Sequence, residues 1–356
     1  MIDLVSDTKS QPSPGMRRAM EEAVVGDEQY GEDPTTIELC TRVADMFQKP
    51  AALLLPSGTM CNQIAVRVHC EPGDEVITSS ASHIVRAEAG GPAALSGVMV
   101  RALDGDRGMF CAAQLEAAIR PMSRYAPKAK LISVEQTAGF PCGAVWQPDQ
   151  LQEIVSVGRR HGLKLHMDGA RVANASTALN LPLSEIAKGF DSVWLDLSKG
   201  LGAPLGAVMV GSDEFIEKAW RIKQQFGGAM RQSGFIAAAG LYALDHNLER
   251  LADDHANAAS LARLLEQTSG IAIKAHTVET NIVYFDISET GVTAAEFVSR
   301  LSSHGVKMGP SGLNLVRAVT HIGVDKAMII AAAKAVAQVA RELLRGEGQV
   351  AERIKI

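Results

Sequence analysis

The sequence predicts an α/β fold: a large domain on a mostly parallel sheet flanked by helices, followed by a small C-terminal α+β domain. Three observations predict it. Short apolar runs of strand length recur between helix-length stretches, the pattern of a parallel sheet covered on both faces. Several of these runs break into small or polar residues, as in "LLPSGT", "LHMDGAR" and "WLDLSKG", where open α/β sheets bind ligands. After about Leu248 the pattern changes to a helix and then to smaller strands and helices.

Taken in order, "MRRAMEEAVVG" reads as a helix closed by Gly26, and "AALLLPSG" as a buried strand breaking at Pro56. "DEVITSS", "GVMVRAL", "KAKLISVEQ", "LKLHMDGA", "DSVWLDLSKG" and "GAVMVGSD" are further strands. "AAQLEAAIRPM" and "LQEIVSVGRRHG" are helices between them, and "DEFIEKAWRIKQQ" is a helix after them. "ERLADDHANAASLARLLEQ" opens the small domain, with "TNIVYFDIS", "AAEFVSRLSSHG" and "NLVRAVTH" completing it. The expected divisions are an N-terminal segment 1–15, a large domain 16–248 and a small domain 249–356. The polar tail "RGEGQVAERIKI" is expected to be partly loose.

A chain of 356 residues is too long for one small core. Its 47% hydrophobic and 21% charged residues are those of an ordinary soluble globular protein. A net charge of −5 without a basic run argues against nucleic acid as a partner. No apolar run is long enough to span a membrane, and "MIDLVSDTKS" lacks the pattern of a signal peptide. Five scattered cysteines (Cys40, Cys61, Cys70, Cys111, Cys142), with no C-x-x-C pair, fit reduced thiols in the cytoplasm.

Three groups of polar residues follow strand ends. In "LLPSGTMCNQ", Ser57, Gly58 and Thr59 open a helix; small residues there let backbone N–H groups approach a phosphate. A plain N-cap is the simpler account. In "LKLHMDGAR", Asp168 ends an apolar strand and needs a cationic partner. That partner is either Arg171, in a structural ion pair, or a pyridinium N–H. Lys199 lies in "DLSKGLGAP", fenced by Ser198, Gly200, Gly202 and Ala203. Taken singly it reads as a solvated lysine. Together the three supply what pyridoxal phosphate needs: a phosphate cup, an acid for the ring nitrogen and a lysine for its aldehyde. His161 and His166 form no metal pattern, and no metal ligands are assigned.

"SDT", "YGEDPT", "SGTMCNQ", "HMDGAR", "DLSKGLGAPLG", "GGAMRQ" and "VRAVTH", in this order over nearly the whole chain, resemble the L-threonine aldolases. These belong to the β-eliminating lyase group, of the aspartate-aminotransferase-like type I fold of pyridoxal-phosphate enzymes. The resemblance implies that Lys199 bonds the coenzyme, Asp168 binds its ring nitrogen and Gly58 and Thr59 bind its phosphate. It implies that His83, in "SASHIVRAEAGG", stacks on the ring and is the best candidate for the base. Arg171 and Arg317, with Ser6, would hold the substrate carboxylate, and Arg171 would reach the ring hydroxyl. Tyr30 and Arg231 would help build the site, partly across a subunit interface, in a homodimer or homotetramer. Each has a duller reading: His83 as a packed or surface histidine, Arg317 as a helix cap or surface ion pair, Ser6 and Thr8 as turn residues.

The sequence departs from the family in two places. Where relatives carry a histidine facing the substrate hydroxyl, "VEQTAGFPCG" has Ala138, with Phe140 and Pro141 close by. The basic pair before the glycine motif reads Lys223-Gln224, and its third glycine is Ala229. The implied reaction is cleavage of L-threonine, L-allo-threonine or a related β-hydroxy-α-amino acid, phenylserine included, to glycine and an aldehyde. Elimination or transamination with the same coenzyme is the main alternative. A non-catalytic scaffold of the same fold is the other.

Overall fold

The computed structural model describes residues 1–140, 142–273 and 275–353, without the side chains of 275 and 346–353. Pro141 and the last residues of the polar tail, 354–356, lie outside the described residues. The chain forms two compact units, Gln11–Glu249 and a smaller one made of Met1–Ser10 with Arg250–Ile356.

The larger unit is built on seven strands: β1 (Ala51–Leu55), β2 (Glu75–Ser79), β3 (Met99–Leu103), β4 (Ala129–Glu135), β5 (Lys164–Asp168), β6 (Ser192–Asp196) and β7 (Ala207–Gly211). They lie in the order β1-β7-β6-β5-β4-β2-β3. The neighbours from β3 through β6 are parallel; β7 runs antiparallel to both β6 and β1. The interior strands are apolar along their length because helices cover both faces. "GVMVRAL" differs from the rest: β3 is an edge strand with Met99 and Val100 exposed.

Three helices frame the N-terminal part of this unit: α1 (Pro14–Glu21), α2 (Pro34–Phe47) and α3 (Gly58–His69). Ser13, Asp33 and Ser57 cap them, each accepting a backbone N–H of the first turn. Contrary to the sequence expectation, α1 ends at Glu21 rather than running to Gly26. Gly26 serves a different purpose: a Cβ there would meet the Glu32 carbonyl at 2.1 Å, and its N–H donates to Asp33 Oδ2 at 3.0 Å. It allows two chain segments to touch ahead of α2.

The core beneath α3 contains Leu53, Leu55, Ile64, Trp194, Met209 and Phe215. Trp194 fixes two glycines. A Cβ on Gly58 would sit 2.2 Å from its indole ring, and a Cβ on Gly169 would sit 1.7 Å from its carbonyl oxygen. Gly58 therefore has to be small to seat α3 on the sheet, a requirement separate from any ligand.

The smaller unit holds a three-stranded antiparallel sheet of β8 (Ile282–Asp286), β9 (Gly309–Pro310) and β10 (Leu315–Val319). Helices Leu251–Glu266, Ala294–Ser303 and Lys326–Arg353 accompany it. Its core includes Leu261, Phe285, Phe297, Val316, Ile329 and Val336. The short strand Ile2–Asp3 pairs with Val306–Lys307, which ties the N-terminus to this unit. The five cysteines are free thiols, Cys61 and Cys70 being buried. Among the described residues, no helix is long and apolar enough to cross a membrane.

Gly169→Ala tests the Trp194 contact. The new methyl must displace backbone rather than a flexible side chain, so an unfolding free energy lower by about 3 kcal/mol or more is expected in urea titration. An unchanged midpoint would mean that the close approach is not a constraint.

Candidate active site

The parallel strands deliver their C-terminal residues to one rim of the sheet. Glu135 ends β4, Asp168 ends β5 and Asp196 ends β6. The three polar groups singled out in the sequence, at residues 57–59, 168 and 199, all lie in the larger unit.

Lys199 sits in a turn built to hold it. Asp196 Oδ1 accepts the Ser198 N–H at 2.7 Å and the Ser198 hydroxyl at 2.8 Å. Gly202, at φ 76°, brings its N–H to the Lys199 carbonyl at 2.9 Å, and Ala203 N–H closes on Leu197 O at 2.9 Å. Glycine is needed at 202 because few other residues adopt that backbone conformation. The Lys199 ammonium pairs with Asp196 Oδ2 and lies 5.7 Å from the centroid of the Trp194 ring. Its side chain is mostly but not fully buried.

Asp168 is buried and does not stand alone. Its Oδ1 accepts the Ala170 N–H at 3.0 Å, and its Oδ2 accepts Asn62 Nδ2 at 2.7 Å. The other Asn62 N–H donates to Glu88 Oε1, also at 2.7 Å. Glu88 is buried too, and its Oε2 accepts Gln63 Nε2 at 2.5 Å. His83, at the start of helix His83–Arg86, places Nδ1 2.7 Å from Glu88 Oε1. One amide thus bridges two carboxylates, and one of those carboxylates holds the imidazole. Burial, and then the Glu88 charge, pushes Asp168 above the ordinary carboxylate range. The hydrogen bond to Glu88 raises His83 above its usual value.

Ligand atoms of His83, Glu88 and Asp168 all lie within 4.8 Å of one another. The Asn62 amide hydrogens and the His83 imidazole already occupy the facing lone pairs. The arrangement offers a cation opposite Asp168 a place to neutralise a buried charge. A protonated ring nitrogen meets that demand, so this donor set fits pyridoxal phosphate. The first N–H groups of α3, at Gly58 and Thr59, precede the helix's own bonding, the position at which helix N-termini receive anions. Ser57 is the cap itself, as the simpler reading had it.

Glu135 accepts the His83 backbone N–H at 2.8 Å and the Gly139 N–H at 3.2 Å, holding the 135–139 loop against the His83 helix. Burial, with the Asp168 charge second, pushes its carboxyl up to about 7. Arg171 is buried at the entry to helix Val172–Leu179, and its N–H donates to Gln136 O at 3.1 Å. Ala138 is buried as well, its N–H bonded to Ala144 O at 2.9 Å. The enclosed space against it, shared with Phe110, Phe140 and Trp146, is only about 10 Å³. The bulk missing relative to a histidine is closed over on that side.

Tyr30 and Arg231 belong to a second group. Glu28 N–H donates to Arg231 O at 3.0 Å, and Gln29 Nε2 to Met230 O at 3.1 Å. The Arg231 side chain reaches Asp27 Oδ2 at 2.9 Å. Beneath them Lys223, fully buried, donates to Glu28 Oε1 at 2.7 Å, and Glu28 also receives the Met230 N–H. Lys223 is therefore committed within its own chain. Tyr30 is 76% exposed.

Ser6 and Arg317 lie in the smaller unit. Ser6 Oγ accepts the Thr8 N–H at 3.2 Å and the Thr8 hydroxyl at 2.9 Å, which makes it a cap residue. Arg317, on β10, donates through Nη2 to Val5 O at 3.2 Å. The two thus share one end of this unit.

Sequence reasoning passed over Asn62, Gln63, Glu88, Glu135 and Asp196, and weighed His166 only as a metal ligand. Asn62 and Gln63 stand in the apolar run that follows "SGTMC", and Glu88 in "RAEAGG". Polar residues inside such runs were the available signal.

The β-eliminating lyase family model matches residues 3–288 of this chain. A low-specificity L-threonine aldolase of Arabidopsis thaliana is 41% identical over 325 residues, covering 90% of this chain and 91% of that protein. The low specificity L-threonine aldolase of Escherichia coli K12 is 38% identical over 327 residues, covering 92% and 95%. Among solved structures, the Leishmania major threonine aldolase superposes with a TM-score of 0.80 at 22% identity, covering 96% of this chain and all of that one. That likeness establishes the type I fold, and the matches in sequence establish the family: this chain belongs to the β-eliminating lyases, among the threonine aldolases.

Proposed function

We propose that this protein is a pyridoxal-phosphate-dependent aldehyde-lyase that cleaves L-threonine, L-allo-threonine and related β-hydroxy-α-amino acids to glycine and an aldehyde. The observation that carries the reading is the joined set at the strand ends: a lysine after β6, a buried acid ending β5 and a carboxylate-held histidine beside that acid. The relatives named low-specificity L-threonine aldolase select cleavage over elimination or transamination.

When bound, the coenzyme supplies an aldehyde for an amine and a ring that accepts the electrons of the breaking bond. The rest falls to this chain. Lys199 offers the amine, held by Asp196 until it is used. Asp168 holds the ring nitrogen's proton. Gly58 and Thr59 hold the phosphate. His83, its Nδ1–H fixed on Glu88, presents Nε2 for the proton of the substrate hydroxyl. Arg171 carries carboxylate recognition in the larger unit; Arg317 and Ser6 keep that assignment in the smaller one. Arg317→Lys, which removes the planar fork, is the kinetic test of that assignment through KM. The unit Gln11–Glu249 is the coenzyme-binding domain. Exposed Tyr30, Ile37 and Phe235 support association into a homo-oligomer, with Tyr30 and Arg231 at the interface. The free thiols support a cytoplasmic setting.

Purified protein given L-threonine is expected to release glycine and acetaldehyde in equal amounts, and Lys199→Ala to release neither. Pyruvate, alanine or 2-oxobutanoate as product would overturn the reading. With the space beside Ala138 closed, phenylserine is expected to be cleaved no faster than threonine.

The pH profile tests the histidine. A base acts in its neutral form, so activity rises with pH through the raised value of His83. Glu88→Gln removes the cause of the rise, and the acid limb of kcat/KM is expected to move to lower pH, toward about 6.5. His83→Ala is expected to lower kcat by about 10²–10⁴-fold. An acid limb unmoved in Glu88→Gln but shifted in Glu135→Gln would transfer the role to Glu135.

A further inference from the structure

Asn62 has a single orientation open to it. Its Nδ2 faces two carboxylate oxygens, which accept. Its Oδ1 lies 2.8 Å from Trp194 Nε1, whose N–H can only donate. His166 Nε2 is 3.1 Å from the same Oδ1 and must therefore carry a proton. Burial pushes the His166 ring down to about 3, so the ring is neutral and its Nδ1 is bare. The Ser192 hydroxyl, 2.8 Å away, has to donate to that Nδ1. The serine oxygen is then left to accept from His69 Nε2 at 2.9 Å. Burial likewise holds His69 neutral, at about 4, and its ring stacks on Phe215 with centroids 4.8 Å apart.

Every hydrogen in this chain has one direction. Donation runs from His69 to Ser192 to His166 to Asn62, and from Asn62 to Asp168 and Glu88. The secondary structure accounts for the alignment. Asn62 and His69 are seven residues apart, on one face of α3. His166 and Ser192 are direct partners across β5 and β6. Trp194, two residues beyond Ser192, emerges on the same face of the sheet.

We propose that His166 is a positioning residue: held as its Nε2–H tautomer by Ser192 and His69, it clamps the Asn62 amide with both hydrogens on Asp168 and Glu88. In this way a buried histidine with no place in the reaction fixes the carboxylate that meets the coenzyme ring and the one that holds His83. Its consequence for the coenzyme rests on the function proposed above; its tautomer does not.

Two measurements test it. Imidazole ¹⁵N spectra of histidine-labelled protein are expected to show His166, like His69, as a ring with protonated Nε2 and bare Nδ1 that does not titrate between about pH 5 and 8. The His166 ring is told from the His69 ring by its loss in His166→Gln, and the His69 ring by its loss in His69→Gln. The opposite tautomer, or a ring that titrates, overturns the proposal. In the second measurement, His166→Gln places an amide N–H where Nε2 was, whereas His166→Asn places its amide near Nδ1. Pyridoxal phosphate affinity, read by fluorescence quenching, is expected to stay within about threefold of the parent in His166→Gln and to fall about tenfold in His166→Asn. Equal behaviour of the two overturns the proposal, and the tautomer seen in the parent spectrum separates a clamp from a space-filling loss. Where neither variant folds, the spectrum of the parent decides. A parent that shows the expected tautomer but binds no pyridoxal phosphate overturns the function proposed above and leaves the clamp standing.

Discussion

The Asn62 amide stands between two buried carboxylates, and the rest of the site is organised around that bridge. Burying one carboxylate is costly, and burying two side by side adds their repulsion. Asn62 gives each of them an N–H; Gln63 and the His83 imidazole supply further donors to Glu88, and the Ala170 N–H one to Asp168. Glu88 is fully provided for by the chain itself. Asp168 is not: its carboxyl stays raised by burial. The protein thus carries one buried acid with electrostatic demand left over, which the proposed function assigns to the ring nitrogen, while the neighbouring acid holds a histidine.

The strands were legible because buried parallel strands leave an unambiguous mark, a short apolar run ended by Gly, Pro or a polar residue. The three site groups were legible for a related reason, since each interrupts such a run at its C-terminal end. What could not be read has physical causes. Helix Gly234–His246, rich in alanine and buried on several sides, lacks a clear polar face, so periodicity gave no signal. Gly26 looked like a helix terminator, but its smallness answers to the Glu32 carbonyl, a contact no local pattern reveals. The linkage of Asn62, Glu88 and His166 is the deepest omission. They come from α3, from the loop after His83 and from β5, 104 positions separating the hydrogen-bonded pair Asn62 and His166. Only the packing of α3 across β5 and β6 makes them neighbours.

The two departures from the family pattern have different structural meanings. Lys223 retains its charge but is fully buried against Glu28, where it braces the loop carrying Tyr30 against the loop carrying Arg231. A lysine so committed acts through the loops it supports. At Ala138 the chain packs with Phe110, Phe140 and Trp146 around an enclosed space of only about 10 Å³, too small to add a pocket on that side. The remaining imidazole, His83, is held by a carboxylate through its side chain and by a second one, Glu135, through its backbone. The buried charge of Asp168 acts on His83 itself and on Glu135, raising both. Glu88 fixes His83 in tautomer and direction by the same hydrogen-bond logic that His166 applies to Asn62.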